Sequence, residues 1–347
     1  MRRVISSAAT VVAVVALLAA CGAPAPAPGV PTSVPTSVPT SAGPASGGPA
    51  SGGPASGGPA SAGAPTAPAA GAATASAAAV PVSAAHPCVG APAPAAWRHV
   101  IWIWFENKAS VVGSSSAPYL TGLARACAGA TDDHGVAHPS LPNYLAATSG
   151  STHGVTDDAG PSTHPVPGPS LFSQVSAAGL SWRAYVEGMP APCSSASAGE
   201  YAVKHNPAAY YTDLRADCRR WDVGLEALSA DLATGDLPAF AFVTPNLCHD
   251  MHDCPVATGD AWLRGMLPAL LGSAAYAQGD TAVFVTWDED DGSHANTVPL
   301  LVIAPSVVPG TTIGRRLDHY ALLRTTEQML GLPPLGDAAS AAVIPGL

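Results

Sequence analysis

From residue 88 onward the chain carries five short apolar runs: HVIWIWF (99–105), SWRAYV (181–186), AFAFVT (239–244), TAVFVTW (281–287) and VPLLVIA (298–304). Each has strand length, and none alternates cleanly between apolar and polar positions as a strand with one wet face would. Between them lie runs with apolar residues at helical spacing: APYLTGLARACA, SLFSQVSAAG, VGLEALSADLA, AWLRGMLPALL and YALLRTTEQMLG. Near-continuous apolar strands separated by helices predict an α/β domain with a mostly parallel central sheet sandwiched between helices.

The N-terminal part follows a different pattern. Residues 1–20 hold Arg2 and Arg3 and then the apolar run VVAVVALLAA, which reads as an export signal too short for a permanent membrane span. The run ends in LAAC, Leu18 to Cys21, followed by Gly22, and so resembles a bacterial lipobox whose cysteine is acylated. Residues 21–87 then form a Pro/Ala/Gly/Ser-rich segment, with VPTS repeats, four copies of GPAS and no charged side chain before Arg98. Such a composition cannot repay its ordering entropy and predicts a disordered tether, with a reach of roughly 45 Å as a flexible coil. The expected organisation is a signal peptide (1–20), a lipid-anchored linker (21–87) and one folded domain (88–347), in a cell-envelope lipoprotein outside the cytoplasm.

Charge and cysteines narrow the function classes. The net charge of −10 becomes −12 once Arg2 and Arg3 are removed with the signal, which argues against a nucleic-acid partner. Apart from Cys21 there are six cysteines: Cys88, Cys127, Cys193, Cys218, Cys248 and Cys254. An even number in an exported chain predicts three disulfides, most simply in sequential order, although 15 pairings are possible. The stretch CHDMHDC (248–254) has the residue types of a zinc site, but export favours a loop-closing Cys248–Cys254 disulfide.

In a parallel sheet, ligands bind beyond the carboxyl ends of the strands. The first strand runs directly into Glu106 and Asn107, and TAVFVTW runs directly into Asp288–Asp291. Two oxygen-rich clusters therefore fall at one sheet edge, a donor set suited to a hard divalent cation. HPSLPNYLAATSG (138–150) places Ser140 between two prolines at the start of a helical run, where its hydroxyl would meet the positive helix end. No G-x-S-x-G elbow occurs, so a serine-hydrolase triad is not expected.

Six stretches in order, ENKASVVGSSSAPYL, HPSLPNYLAATSG, KHNP, NLCHDMHD, TWDEDDG and HYALLRTTEQMLGLPPLG, resemble the motifs of the bacterial and fungal phosphoesterase family. That family contains acid phosphatases and the non-haemolytic type of phospholipase C, and belongs to the alkaline-phosphatase-like superfamily. The resemblance implies an alkaline-phosphatase-like fold and one divalent metal (Ca, Mg or Zn) held by Glu106, Asn107, Asp288 and Glu289. Ser140 would be the nucleophile, Asn143 would help bind phosphate, and His205 and His252 would contact the phosphoryl oxygens, one of them protonating the leaving group. Asp250 could orient either histidine. The chain departs from the family pattern at Ala109, where a polar residue often follows the Glu-Asn pair, and the loop DEDDGSHANT leaves His294 and Asn296 without a clear place.

The activity implied is metal-dependent hydrolysis of phosphate esters through a phosphoserine, of the acid-phosphatase, phosphomonoesterase type. The substrate would be a small phosphate ester or a phospholipid headgroup, with the membrane reached through Cys21. Phospholipase C or other phosphodiesterase activity is the alternative, and a non-catalytic binding lipoprotein is a third reading against which the nucleophile speaks.

Overall fold

The computed structural model describes residues 81–347. The expected signal peptide, Cys21 and the repeats of the expected linker lie outside the described residues. At the near end, the main chains of Ser83 and His86 pair with each other, and Val82 already packs against the core.

Nine strands form one sheet: β1 (His99–Phe105), β2 (Ala128–His134), β3 (Trp182–Val186), β4 (Asp222–Gly224), β5 (Phe240–Thr244), β6 (Thr281–Trp287), β7 (Thr297–Ile303), β8 (Thr311–Ile313) and β9 (Leu317–Asp318). Their order is β4-β3-β5-β1-β6-β7-β2-β8, with β9 also on β2. Every pairing is parallel except those of β7, which runs against both β6 and β2. The mostly parallel α/β architecture is thus as the pattern of apolar runs implies. The exception has a local cause: β6 and β7 are joined by only residues 288–296, too short for a crossover helix.

The helices are α1 (Pro118–Ala126), α2 (Ser140–Ser149), α3 (Leu171–Ala177), α4 (Cys218–Trp221), α5 (Glu226–Thr234), α6 (Val256–Leu271), α7 (Ala274–Ala277) and α8 (His319–Met329). The alternation of β1 side chains shows how they cover the sheet. Trp102 donates its indole N–H to Thr326 of α8, and Trp104 packs on Tyr144 of α2. On the opposite face Phe105 meets Trp262 of α6 edge-on, and Asp260 of α6 caps the first turn of α1 by accepting from the N–H groups of Tyr119 and Leu120. Strands β1 and β6, buried on both faces, are therefore apolar almost throughout.

The apolar pattern does not show β2, β4, β8 or β9, of which β2 is the longest. Its sequence AGATDDH is polar and small, and it becomes a strand because β7 offers an unpaired edge. In the same way the helical pattern at 223–233 begins only at Glu226, since Asp222–Gly224 pairs with β3. The disulfides are Cys88–Cys127, Cys193–Cys218 and Cys248–Cys254, the sequential pairing. Gly150 ends α2 with φ 73°, and a Cβ there would lie 2.2 Å from the carbonyl oxygen of Leu335, so only glycine fits this crossing.

Candidate active site

β1 and β6 lie side by side in parallel register, ending in the partners Phe105 and Trp287. The next residues, Glu106 and Asp288, therefore emerge together at the carboxyl edge, and both are fully buried. The backbone N–H of Asn107, which sits in the left-handed region at φ 53°, donates to Asp288 Oδ1 at 3.0 Å. His319, the first residue of α8, is buried. Its Nε2–H donates to the carbonyl oxygen of Asp288 at 2.6 Å, fixing the strand end from below.

α2 brings Ser140 into this cluster. Its hydroxyl lies 3.0 Å from Glu106 Oε2 and 3.4 Å from Glu289 Oε1, with the side chain almost wholly enclosed. Tyr144, one turn further along α2, donates to the other oxygen of Glu106. Nothing in sequence reasoning singled out Tyr144, although its spacing of four from Ser140 puts both on one helix face.

The expected phosphate contact of Asn143 is not what its surroundings support. Its Oδ1 accepts from the N–H groups of Val136 (2.8 Å) and Ala137 (2.9 Å), and its Nδ2 donates to the carbonyls of Ala137 (2.9 Å) and Pro139 (3.2 Å). With both amide hydrogens spent on the loop, Asn143 shapes the approach to Ser140 and has no donor left for a phosphate. The helix start is also less open to an anion than expected, because the N–H of Leu141 is donated to Asp158 Oδ1 at 3.0 Å and Pro142 has none.

His205 is buried between two carboxylates, its Nε2 3.1 Å from Glu106 Oε1 and its Nδ1 3.0 Å from Asp250 Oδ2. Neither contact is aligned as a hydrogen bond, so both nitrogens count as buried and unpaired. Burial, reinforced by the nearby Lys204 ammonium, pushes its pKa down to about 3, so this ring is neutral. His252 sits further out, its Nδ1 2.7 Å from Asp253 Oδ1, and its backbone N–H donates to Asp250 Oδ1 at 2.8 Å. Asp250 thus serves both histidines. His249 turns away to Glu187 and stacks on Trp262.

The acids here are crowded. Burial, and then the charges of Asp288 and Asp250, raise Glu106 well above the ordinary carboxylate range. Burial also raises Asp288, takes Asp250 to about 7 and, with Asp288 beside it, takes Glu289 to about 8. Asp288 Oδ2, Glu289 Oε2 and Asp250 Oδ2 are buried without a hydrogen-bond partner. His138 faces Glu289 but leaves that oxygen out of line. Buried acidic oxygens with unused lone pairs fit a divalent cation, which would neutralise charge that the protein does not. Asp288 and Glu289 meet this requirement, Glu106 lies beside them with its oxygens accepting from Ser140 and Tyr144, and Asn107 donates its backbone N–H to Asp288. The structure also gathers ligand atoms of Glu106, His205 and His252 within 4.8 Å of one another, a mixed set not expected from sequence.

The loop 288–296 closes the far side. Asn296 accepts from the N–H of Asp290 at 3.0 Å and donates to the carbonyl of Ala137 at 3.0 Å, tying this loop to the one before Ser140. Gly135 lies at their crossing, where a Cβ would come within 2.7 Å of the Asp288 carbonyl. His294 is exposed, its backbone N–H donates to Asp290, and its ring meets only Asp291 and Ser293 of its own loop among the described residues.

A serine and a nest of buried acids thus lie at the carboxyl edge of a mostly parallel sheet, in an alkaline-phosphatase-like fold. A solved structure from the alkaline phosphatase superfamily of Vibrio parahaemolyticus shares this fold, with a TM-score of 0.50 over 73% of this chain and 72% of its own, at 14% identity. The phosphoesterase family model matches residues 103–333, and the chain belongs to that family, hydrolases of phosphoric esters. A phosphatidylinositol-3-phosphatase of Mycobacterium tuberculosis is 37% identical over 268 residues, covering 75% of this chain and 86% of that protein. An acid phosphatase of Aspergillus fumigatus is 26% identical over 255 residues, covering 70% of this chain but only 56% of its own length.

Proposed function

We propose that the protein is a metal-dependent phosphomonoesterase that works through a phosphoserine at Ser140. The observation that carries this reading is the Ser140 hydroxyl, 3.0 Å from Glu106 and 3.4 Å from Glu289 within a group of partly unpaired buried acids. Glu106, Asn107, Asp288 and Glu289 would hold one divalent cation, which when bound neutralises phosphoryl charge and lowers the proton affinity of a nearby oxygen.

Ser140 Oγ forms the bond to phosphorus, and its proton is already donated toward Glu106 Oε2. As the bond from phosphorus to the alcohol breaks, His252 in its protonated form gives a proton from Nε2 to the leaving oxygen. Asp253 holds the opposite nitrogen and so fixes which one faces the site. Water then attacks the phosphoserine, its proton returning to His252, and phosphate leaves as Ser140 regains a proton. The buried His205 lies between Glu106 and Asp250 and makes no contact with phosphate in this scheme.

The relative named as a phosphatidylinositol-3-phosphatase supports a lipid headgroup monoester as substrate, and a lipid anchor at Cys21 would keep the site beside such a surface. Export as an envelope lipoprotein fits the three disulfides. The test is a paired assay on an aryl phosphate monoester and the matching diester, before and after chelation. Turnover of the diester alone would replace this reading with a phosphodiesterase, phospholipase C-like one.

A further inference from the structure

Sequence reasoning gives no role to Lys204, the residue before His205 in KHNP. Its Nζ lies 3.4 Å from Ser140 Oγ, 2.9 Å from Asp158 Oδ2 and 3.5 Å from His252 Nε2. Among the described residues, no arginine and no other lysine hydrogen-bonds to Glu106, Ser140, Asp288 or Glu289.

Asp158 determines where this ammonium stands. One oxygen accepts from the N–H of Leu141 in the first turn of α2, and the other accepts from Lys204. A single carboxylate therefore fixes the cation relative to the helix start that carries Ser140. The contact to Asp158 is at full hydrogen-bond strength, whereas those to Ser140 and His252 are long. A phosphoryl oxygen arriving beside Ser140 is a stronger acceptor than the serine hydroxyl, and it would take over that N–H bond.

We propose that Lys204 is a catalytic residue that contacts the transferring phosphoryl group, and that, held by Asp158, it makes the site favour the dianionic monoester over the singly charged diester. This rests on the phosphoesterase reading of the same site. A diester replaces one charged oxygen by an ester oxygen, so it gains less from a fixed ammonium at contact distance. A lysine present only to bridge to Asp158 at the surface would leave that choice untouched.

The experiment compares the full-length wild type with Lys204→Met, Lys204→Arg and Asp158→Asn on an aryl phosphate monoester and the matching methyl aryl diester. Lys204→Met is expected to lower kcat/KM for the monoester about 100-fold and for the diester less than about 10-fold. Lys204→Arg should keep the preference for the monoester, and Asp158→Asn should weaken it in the same direction as Lys204→Met. Calorimetry with inorganic phosphate gives a reading apart from turnover, with affinity weakened about 10-fold or more in Lys204→Met. Equal losses on both esters, or unchanged phosphate affinity, overturn the proposal. If the wild type cleaves neither ester, the proposed function falls, and the calorimetry still decides whether Lys204 holds phosphate. If Lys204→Met does not fold, an unchanged ester ratio in Asp158→Asn overturns the proposal and a shifted one supports it.

Discussion

Phe105 and Trp287 are register partners on neighbouring parallel strands, their rings stacked 5.0 Å apart, and each is the last strand residue before a buried acid of the site. The spacing between Glu106 and Asp288 is therefore inherited from the register of the sheet and locked by an aromatic pair directly beneath it. Changing the pair should disturb the fold and the site together. Trp287→Ala is expected to cost about 3–5 kcal/mol in urea unfolding, because a fully buried indole is replaced by a cavity. Trp287→Phe, which keeps the stack, should cost clearly less. Equal costs for the two variants would show that the stacked ring does not support this strand end.

Metal removal should be visible without any assay of turnover. A cation bound by the folded site and not by the unfolded chain raises Tm with its concentration. Chelated protein should lose activity, and adding back one divalent ion should restore it while raising Tm. A Tm independent of every divalent ion tried, with full turnover in the chelated sample, would refute the metal requirement.

Ser140→Ala should remove nearly all of kcat, by several orders of magnitude, while the fold persists, since the interaction lost is one made along the reaction path. Wild-type protein quenched during turnover should carry phosphate on the peptide containing Ser140, and the variant should not. A variant within about tenfold of wild type would mean that water attacks directly or that another serine is the nucleophile. Ser149 and Ser151 are the nearby alternatives by sequence, but Ser149 is tied to the end of α2 through the Leu145 and Ser151 carbonyls.

Glu327 on α8 offers a pH-dependent test of stability away from the site. Burial pushes its pKa up to about 7, against smaller opposing effects from the Leu335 N–H it accepts and from Arg324. A carboxyl whose folded pKa is raised stabilises most below its unfolded value near 4.5, and that contribution is lost as pH rises through about 7. Glu327→Gln keeps the acceptor for Leu335 and cannot ionise. Wild type and variant should match near pH 4, with the variant more stable by about 3 kcal/mol at pH 8. Parallel unfolding curves at both values would show that Glu327 does not titrate between them.

The apolar runs were enough to determine the α/β class and the central strands, because a strand buried on both faces must be apolar along its length whatever its neighbours are. They also located Glu106 and Asp288, since a residue following such a strand can only emerge at its carboxyl end. The short motifs located Ser140, His205 and His252. The sequence could not reveal β2, whose polar residues become a strand only because β7 has a free edge, nor the reversal of β7 itself. The division of labour in the site was equally hidden. Asn143 and His205 look like ligand-binding residues in sequence, but in the fold their polar atoms are taken up by, or pressed against, other protein groups. Lys204 and Tyr144 lie within KHNP and HPSLPNYLAATSG but nothing there gave them a role, Asp158 lies in none of the motifs, and all three join the site through contacts spanning 38 to 64 residues of chain. Side-chain type records what a residue can do, while which partner it meets depends on packing between distant segments, and only the tertiary structure decides that.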